Sequence, residues 1–201
     1  MTLTVNFIVL IGLAIGVSLA MMAATAVQLA TGKSGWIDTL WTFTVGLGGI
    51  AATLMPADGA NDMRRIAVGV LVAIWALRLG LHIAARTHHG EDDPRYAAIK
   101  ADHPKDWPVY LFWMLQAQAI AAFVLVMAVR FAAINPAPFP AMTDLIGIAI
   151  LLIAFAGEAV ADAQLKTFGK THKKAVANTG LWRWSRHPNY FFEWLGWGGW
   201  A

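Results

Sequence analysis

The chain has 201 residues, 58% of them hydrophobic and only 13% charged, where a typical soluble domain carries about 25% charged residues. With a mean hydropathy of +0.57, that balance argues against an ordinary soluble domain and for an integral membrane protein. The net charge is +3, and the absence of cysteine excludes disulfides, thiolate metal sites and cysteine nucleophiles.

A bilayer-spanning helix needs about 20 apolar residues. By that measure, apolar segments are predicted at about 3–30, 39–55, 66–85, 109–129 and 143–165, with a sixth from 190 onward. The first run is long and lacks a basic flank, so it does not read as a cleavable signal peptide. Pro56, Gly59 and Asn61 mark one break, Pro104 and Pro108 another, and Pro136, Pro138 and Pro140 a third. The sixth segment is too short to span before Ala201, so either it lies in the interface or, the favoured expectation, the chain is C-terminally truncated. The expected architecture is all-α, a polytopic transmembrane helix bundle forming one integral-membrane domain over residues 1–201.

Eleven of the 15 Lys and Arg fall in the predicted loops 31–38, 86–108 and 166–189. Excess positive charge marks cytoplasmic loops. These three loops are therefore expected in the cytoplasm and the N-terminus outside. Arg64, Arg65 and Arg130 are the basic residues assigned to the other side.

Three polar pairs inside apolar segments share the spacing i, i+4: Arg78 with His82, Glu158 with Asp162, and Asn189 with Glu193. That spacing places each pair on one helix face, and Arg86 extends the first face. In the expected orientation all three pairs lie in the inner leaflet, with Arg78 about 10 Å below a boundary near Ala85. An ionised group at the membrane centre costs on the order of 2.5–3.5 kcal/mol on insertion scales. The pairs either serve a site, or lock helices together with Arg78 against Glu158 or Asp162, or leave Arg78 to snorkel to the headgroups.

The fifth loop carries Lys166, Lys170, Lys173, Lys174, Arg183 and Arg186. Such a run attracts anionic lipid at about 1 kcal/mol per basic residue. Alternatively it forms a phosphate-binding rim in which arginine supplies the planar, bidentate element. The third loop mixes both signs of charge and reads as a solvated, partly helical connector.

Several familiar motifs fail. "GLGGIA" (Gly46 to Ala51) fits a dinucleotide fingerprint formally, but it sits inside an apolar segment with no preceding strand, where small residues serve helix packing. His88 and His89 stand near Glu91, Asp92 and Asp93, yet no HExxH or HxxHH pattern is present, and no metal site is expected. No G-x-S-x-G stretch occurs.

The final stretch "GLWRWSRHPNYFFEW" (Gly180 to Trp194) is the most specific in the chain. "SGWIDTLW", "AIWALRLGLHIAAR", "EDDPRYAAIK" and "GEAVADAQLKTF" precede it in order. Together, from Ser34 to the end, they resemble a bacterial membrane-protein family of unknown function related to the steroid 5α-reductases and the sterol C14 and C7 reductases. The resemblance implies a helix bundle that binds NADPH from the cytoplasm, with the nicotinamide facing a lipid-accessible cavity. It implies that Asn189, Tyr190 and Glu193 hold the nicotinamide end. Asp162, with Gln164 and Lys166, would hold the ribose and phosphates, and Arg86 would reach the phosphates. Arg183, Arg186 and His187 complete the implied cofactor-binding set. Members of this group continue past the motif, and Phe192 stands where glycine is usual, which is expected to crowd the nicotinamide pocket.

The implied reaction is hydride transfer from NADPH to the β-carbon of a C=C bond conjugated to a carbonyl. Its substrate would be a lipophilic, steroid- or isoprenoid-like small molecule. The protein's part is to position both partners and to polarise the carbonyl. Tyr190 is the simplest proton donor, Glu193 protonated by burial is another, and Asp38 is a distant third. Membrane lipids are expected partners and nucleic acid is not.

A rival resemblance is to the isoprenylcysteine and phospholipid methyltransferases, which use S-adenosylmethionine and share an R-H-P-x-Y stretch (here Arg186, His187, Pro188 and Tyr190). That cofactor has no phosphates and leaves the lysines of the fifth loop unused. A third reading is a non-enzymatic scaffold or lipid-binding protein in which the polar pairs only staple helices.

Overall fold

The computed structural model describes residues 3–89, 94–172 and 175–200. Glu91, Asp92 and Asp93 of the histidine–carboxylate run, and Lys173 and Lys174 of the fifth loop, lie outside the described residues. The helices are α1 (Leu3–Thr31), α2 (Gly35–Leu54), α3 (Asp62–His89), α4 (Pro94–Asp102), α5 (Trp107–Ile134), α6 (Met142–Thr171) and α7 (Pro188–Gly198), with one 3-10 turn at Gly180–Arg183. Among the described residues there is no strand. Five helices, α1, α2, α3, α5 and α6, are long and apolar enough to cross a membrane, and each corresponds to a predicted apolar segment.

The helices overrun those segments. α3 begins at Asp62 and ends at His89, α2 begins at Gly35, and α6 continues to Thr171. Apolarity stops where side chains reach the headgroups, but the N–H to C=O ladder continues until a cap relieves it. The predicted loop 31–38 therefore shrinks to residues 32–34, and loop 166–189 loses its first six residues to α6. Loop 86–108 contains α4, the helical connector its composition suggested.

The chain forms two compact units, Met1–Pro136 and Ala137–Ala201. In the first, α2 packs against α1, α3 and α5. Small residues allow that approach. A Cβ on Gly46 would stand 2.3 Å from the Cβ of Ala76, and one on Gly49 would stand 3.1 Å from Val72 Cγ1. The glycine run is a packing seam, as close-packed membrane helices require. α1 and α5 run side by side, joined by the Ser18 hydroxyl donating to Gln116 Oε1 at 2.6 Å. On its outer side α1 presents Ile11, Ile15 and Leu19, all more than half exposed, a face suited to lipid.

Three arginines finish the helices of this unit. Every helix leaves its last carbonyls without partners. At the end of α2, Ala51 O is taken by Met55 N at 3.1 Å. Arg130 Nη1 donates to Ala52 O at 2.9 Å. Arg65 donates from Nε to Thr53 O at 2.7 Å and from Nη2 to Leu54 O at 2.9 Å. Arg64 does the same for Asn135 O after α5. At the opposite end of the unit, Lys33 Nζ donates to the α3 carbonyls of Thr87 (3.3 Å) and His88 (3.2 Å).

At that end two of the motif stretches meet. Tyr96, buried on α4, donates its hydroxyl to Asp38 Oδ1 of α2 at 3.1 Å, and Arg95 lies 3.4 Å from Asp38 Oδ2. Gln118 Nε2 reaches the Tyr96 oxygen at 3.5 Å. Burial first, and the Asp38 charge second, push the Tyr96 phenol up to about 12.

Candidate functional site

The second unit is built from α6, the 3-10 turn and α7. After α6 the chain must reverse, and Gly180, at φ +57°, supplies a left-handed residue that carries no Cβ. A Cβ there would lie 2.5 Å from Gln164 Oε1. The turn is then pinned to α6 by two hydrogen bonds. Leu181 N donates to Gln164 Oε1, and Trp182 Nε1 donates to Ala161 O, both at 2.9 Å. Pro188 occupies the first turn of α7, where its missing N–H costs nothing and its fixed φ suits the helix.

These constraints deliver Asn189 to Asp162. Asn189 Nδ2 donates to Asp162 Oδ1 at 3.3 Å, while Asn189 Oδ1 accepts from Tyr190 N at 3.1 Å. One turn further along α7, Glu193 Oε1 accepts from Trp197 Nε1 at 2.9 Å. The Tyr190 ring is exposed and stacks on His187, with centroids 5.2 Å apart. Asp162, Asn189 and Glu193 are all half-buried, and Glu158, one turn back on α6, is buried.

The α6–α7 approach depends on Gly157. A Cβ on it would stand 2.3 Å from Phe192 Cε1, so the Phe192 ring occupies the notch that glycine leaves on α6. Phe192, expected to crowd a pocket, is a packing residue between these two helices.

The sequence-predicted site residues separate into groups. Asp162 and Asn189 are bonded, with Glu193 next along α7. Lys166 shares a face of α6 with Asp162 by its i, i+4 spacing, and it is exposed, as are Arg183, Arg186 and His187. Gln164 stands two residues from Asp162, about 200° around the helix. Its side-chain oxygen is committed to the 3-10 turn. Arg86 is exposed on α3 in the first unit. Sequence reasoning missed the Trp182 bond and the Gly157–Phe192 contact, and neither carried a spacing signal.

Among the described residues no group of three or more His, Asp or Glu side chains is arranged to hold a metal. The arrangement can offer an amide, carboxylates and a phenol beside exposed cations. That set suits a polar ligand carrying both hydrogen-bonding groups and negative charge.

Helices of this length and apolarity, with exposed apolar faces, define an all-helical integral membrane protein. Residues 24–201 match the model of the family described as Protein of unknown function (DUF1295), and the chain belongs to that family. No curated protein and no solved structure matches it.

Proposed function

We propose that the chain is a membrane oxidoreductase of the steroid 5α-reductase type, which carries hydride from NADPH to an enone-bearing lipophilic substrate. The observation that carries this reading is the Asn189–Asp162 hydrogen bond at 3.3 Å. It joins the N-Y-x-x-E stretch to the acidic residue of the preceding helix, the two elements that the resemblance assigns to cofactor binding. In this reading Asn189 and Glu193 face the carboxamide end of the nicotinamide. Asp162 accepts from a ribose hydroxyl, and Arg183, Arg186 and Lys166 neutralise phosphates. When bound, NADPH supplies the hydride. The chain's own residues orient the ring, exclude water and place a donor, Tyr190 or Glu193, at the substrate carbonyl. The exposed cations support a cytoplasmic approach of a phosphate-bearing cofactor to an inner membrane.

The test is the thermal midpoint of the full chain in mild detergent, titrated with NADPH and separately with S-adenosylmethionine, for wild type and a Glu193→Gln, Arg186→Ala variant. A ligand specific to the folded state stabilises it by about 2.7 kcal/mol at a hundredfold its Kd. NADPH should raise the wild-type midpoint and leave the variant unmoved. A response to S-adenosylmethionine alone replaces the reductase with the methyltransferase reading.

A further inference from the structure

The other side of α6 carries a feature that the cofactor reading does not use. Val160, Ala163, Thr167 and Thr171 recur at helical spacing on a face turned away from Asp162. They line a groove of about 490 Å³, closed on one side by Thr179 of the segment that leads into the 3-10 turn. Gln164, also in its wall, holds that segment against the helix through Leu181 N.

The groove changes character along its length. α6 has 30 residues and is about 45 Å long at 1.5 Å per residue, against a hydrocarbon core of about 30 Å. The cations of α6, Lys166 and Lys170, lie in its last two turns, which suits its C-terminal end to the headgroup layer. Val160 and Ala163 form the apolar end of the groove, while Thr167, Thr171, Thr179 and His172 form the polar end. The imidazole is fixed there: it stacks on Phe168 at 4.4 Å, and its Nδ1 lies 2.8 Å from Thr171 Oγ1. Lys170 is exposed and, at i+3, lies beside Thr167. An apolar floor that gives way to hydroxyls, an imidazole and a cation at headgroup depth is complementary to an amphiphile with a phosphodiester head.

We propose that this groove seats one anionic phospholipid, with its first chain carbons against Val160 and Ala163. Its phosphate would lie at Thr167, Thr171 and Lys170. The site is independent of the reductase reading, because it lies on the opposite face of α6 and shares no ligand-facing residue with Asp162, Asn189 or Glu193.

The experiment uses the full chain, stripped of lipid in a neutral maltoside detergent, and follows the thermal midpoint. The additions are dioleoyl phosphatidylglycerol, phosphatidylcholine with the same chains, and inorganic phosphate. The variants are Thr167→Val with Thr171→Val, which removes two hydroxyls at constant shape, and Ala163→Trp, which fills the apolar end. Lys100→Ala, an exposed cation of α4 outside the groove, is the control. Phosphatidylglycerol should stabilise wild type and the control saturably. The double valine variant should need at least about tenfold more lipid, the loss of one or both hydroxyl hydrogen bonds to a charged group, and Ala163→Trp should not respond. The proposal is overturned if phosphatidylcholine or inorganic phosphate acts as well as phosphatidylglycerol, or if NADPH displaces the lipid. It is equally overturned if both groove variants respond as wild type does, or if the control loses the response.

Discussion

Gly157→Ala tests the α6–α7 packing that brings Asn189 to Asp162. The added Cβ would lie 2.3, 2.4 and 2.5 Å from three carbons of the Phe192 ring. That is more than 1 Å inside the contact distance of about 3.5–4.0 Å. The ring must leave its notch or α7 must recede, and overpacking of this kind costs about 1–3 kcal/mol. Alanine also removes the helix penalty of glycine, a gain of about 0.8–1.0 kcal/mol. The net loss is therefore roughly 0–2 kcal/mol, too small to decide the matter alone. A double-mutant cycle isolates the contact. In a Phe192→Ala background the clash is gone, and Gly157→Ala should stabilise by its propensity gain only. The coupling between the two positions should be about 1–3 kcal/mol, read from equilibrium unfolding in mixed micelles followed by tryptophan fluorescence. If Gly157→Ala has the same effect in both backgrounds within about 0.5 kcal/mol, Phe192 does not pack on Gly157 and the geometry of the site is wrong.

Tyr96 provides a pH test. Its phenol is raised from 10.0 to about 12, so its contribution to stability is whole below pH 10 and declines as the pH climbs from 10 towards 12, where only the unfolded chain ionises. The loss should approach about 3 kcal/mol, and a phenolate absorbance step near pH 12 should vanish in Tyr96→Phe. Arg130→Met should lower stability by about 1.5–3 kcal/mol, because Ala52 O loses a charged donor in a buried position. Arg130→Lys should recover part of that loss, since a single ammonium does not reproduce the guanidinium fork. Gly180→Ala should cost about 1–2 kcal/mol from the left-handed backbone alone. Gln164→Leu, which leaves Leu181 N without its acceptor, should cost about 1–3 kcal/mol. Both are read as falls in thermal midpoint.

Much of the fold was legible because membrane helices announce themselves by local composition. Each of the five long apolar segments became a helix of spanning length, and even the helical connector was visible in the third loop. Segment ends were less legible. Where α3 stops depends on a cap, Lys33 over Thr87 and His88, and those partners are 54 and 55 residues away. Arg64, Arg65 and Arg130 counted in the sequence only as loop charges, whereas they bind helix carbonyls. The i, i+4 spacing of Glu158 with Asp162 and of Asn189 with Glu193 placed each pair on one helix face. It did not reveal that Asn189 bonds Asp162, or that Gln164, only two residues away, points elsewhere.

The sequence by itself determined the class of molecule, the number of long helices and the faces on which polar groups lie. These follow from hydropathy and from the 3.6-residue period, which are properties of neighbouring residues. The tertiary structure decided which of those faces meet. The return of the chain at Gly180, the notch at Gly157 that receives Phe192, and the bonds of Gln164 and Ala161 to the 3-10 turn set the register of α7 on α6. Each joins residues far enough apart in the chain that no local pattern encodes it. Contacts of that kind are selected by close packing and by the need to satisfy every buried polar group at once.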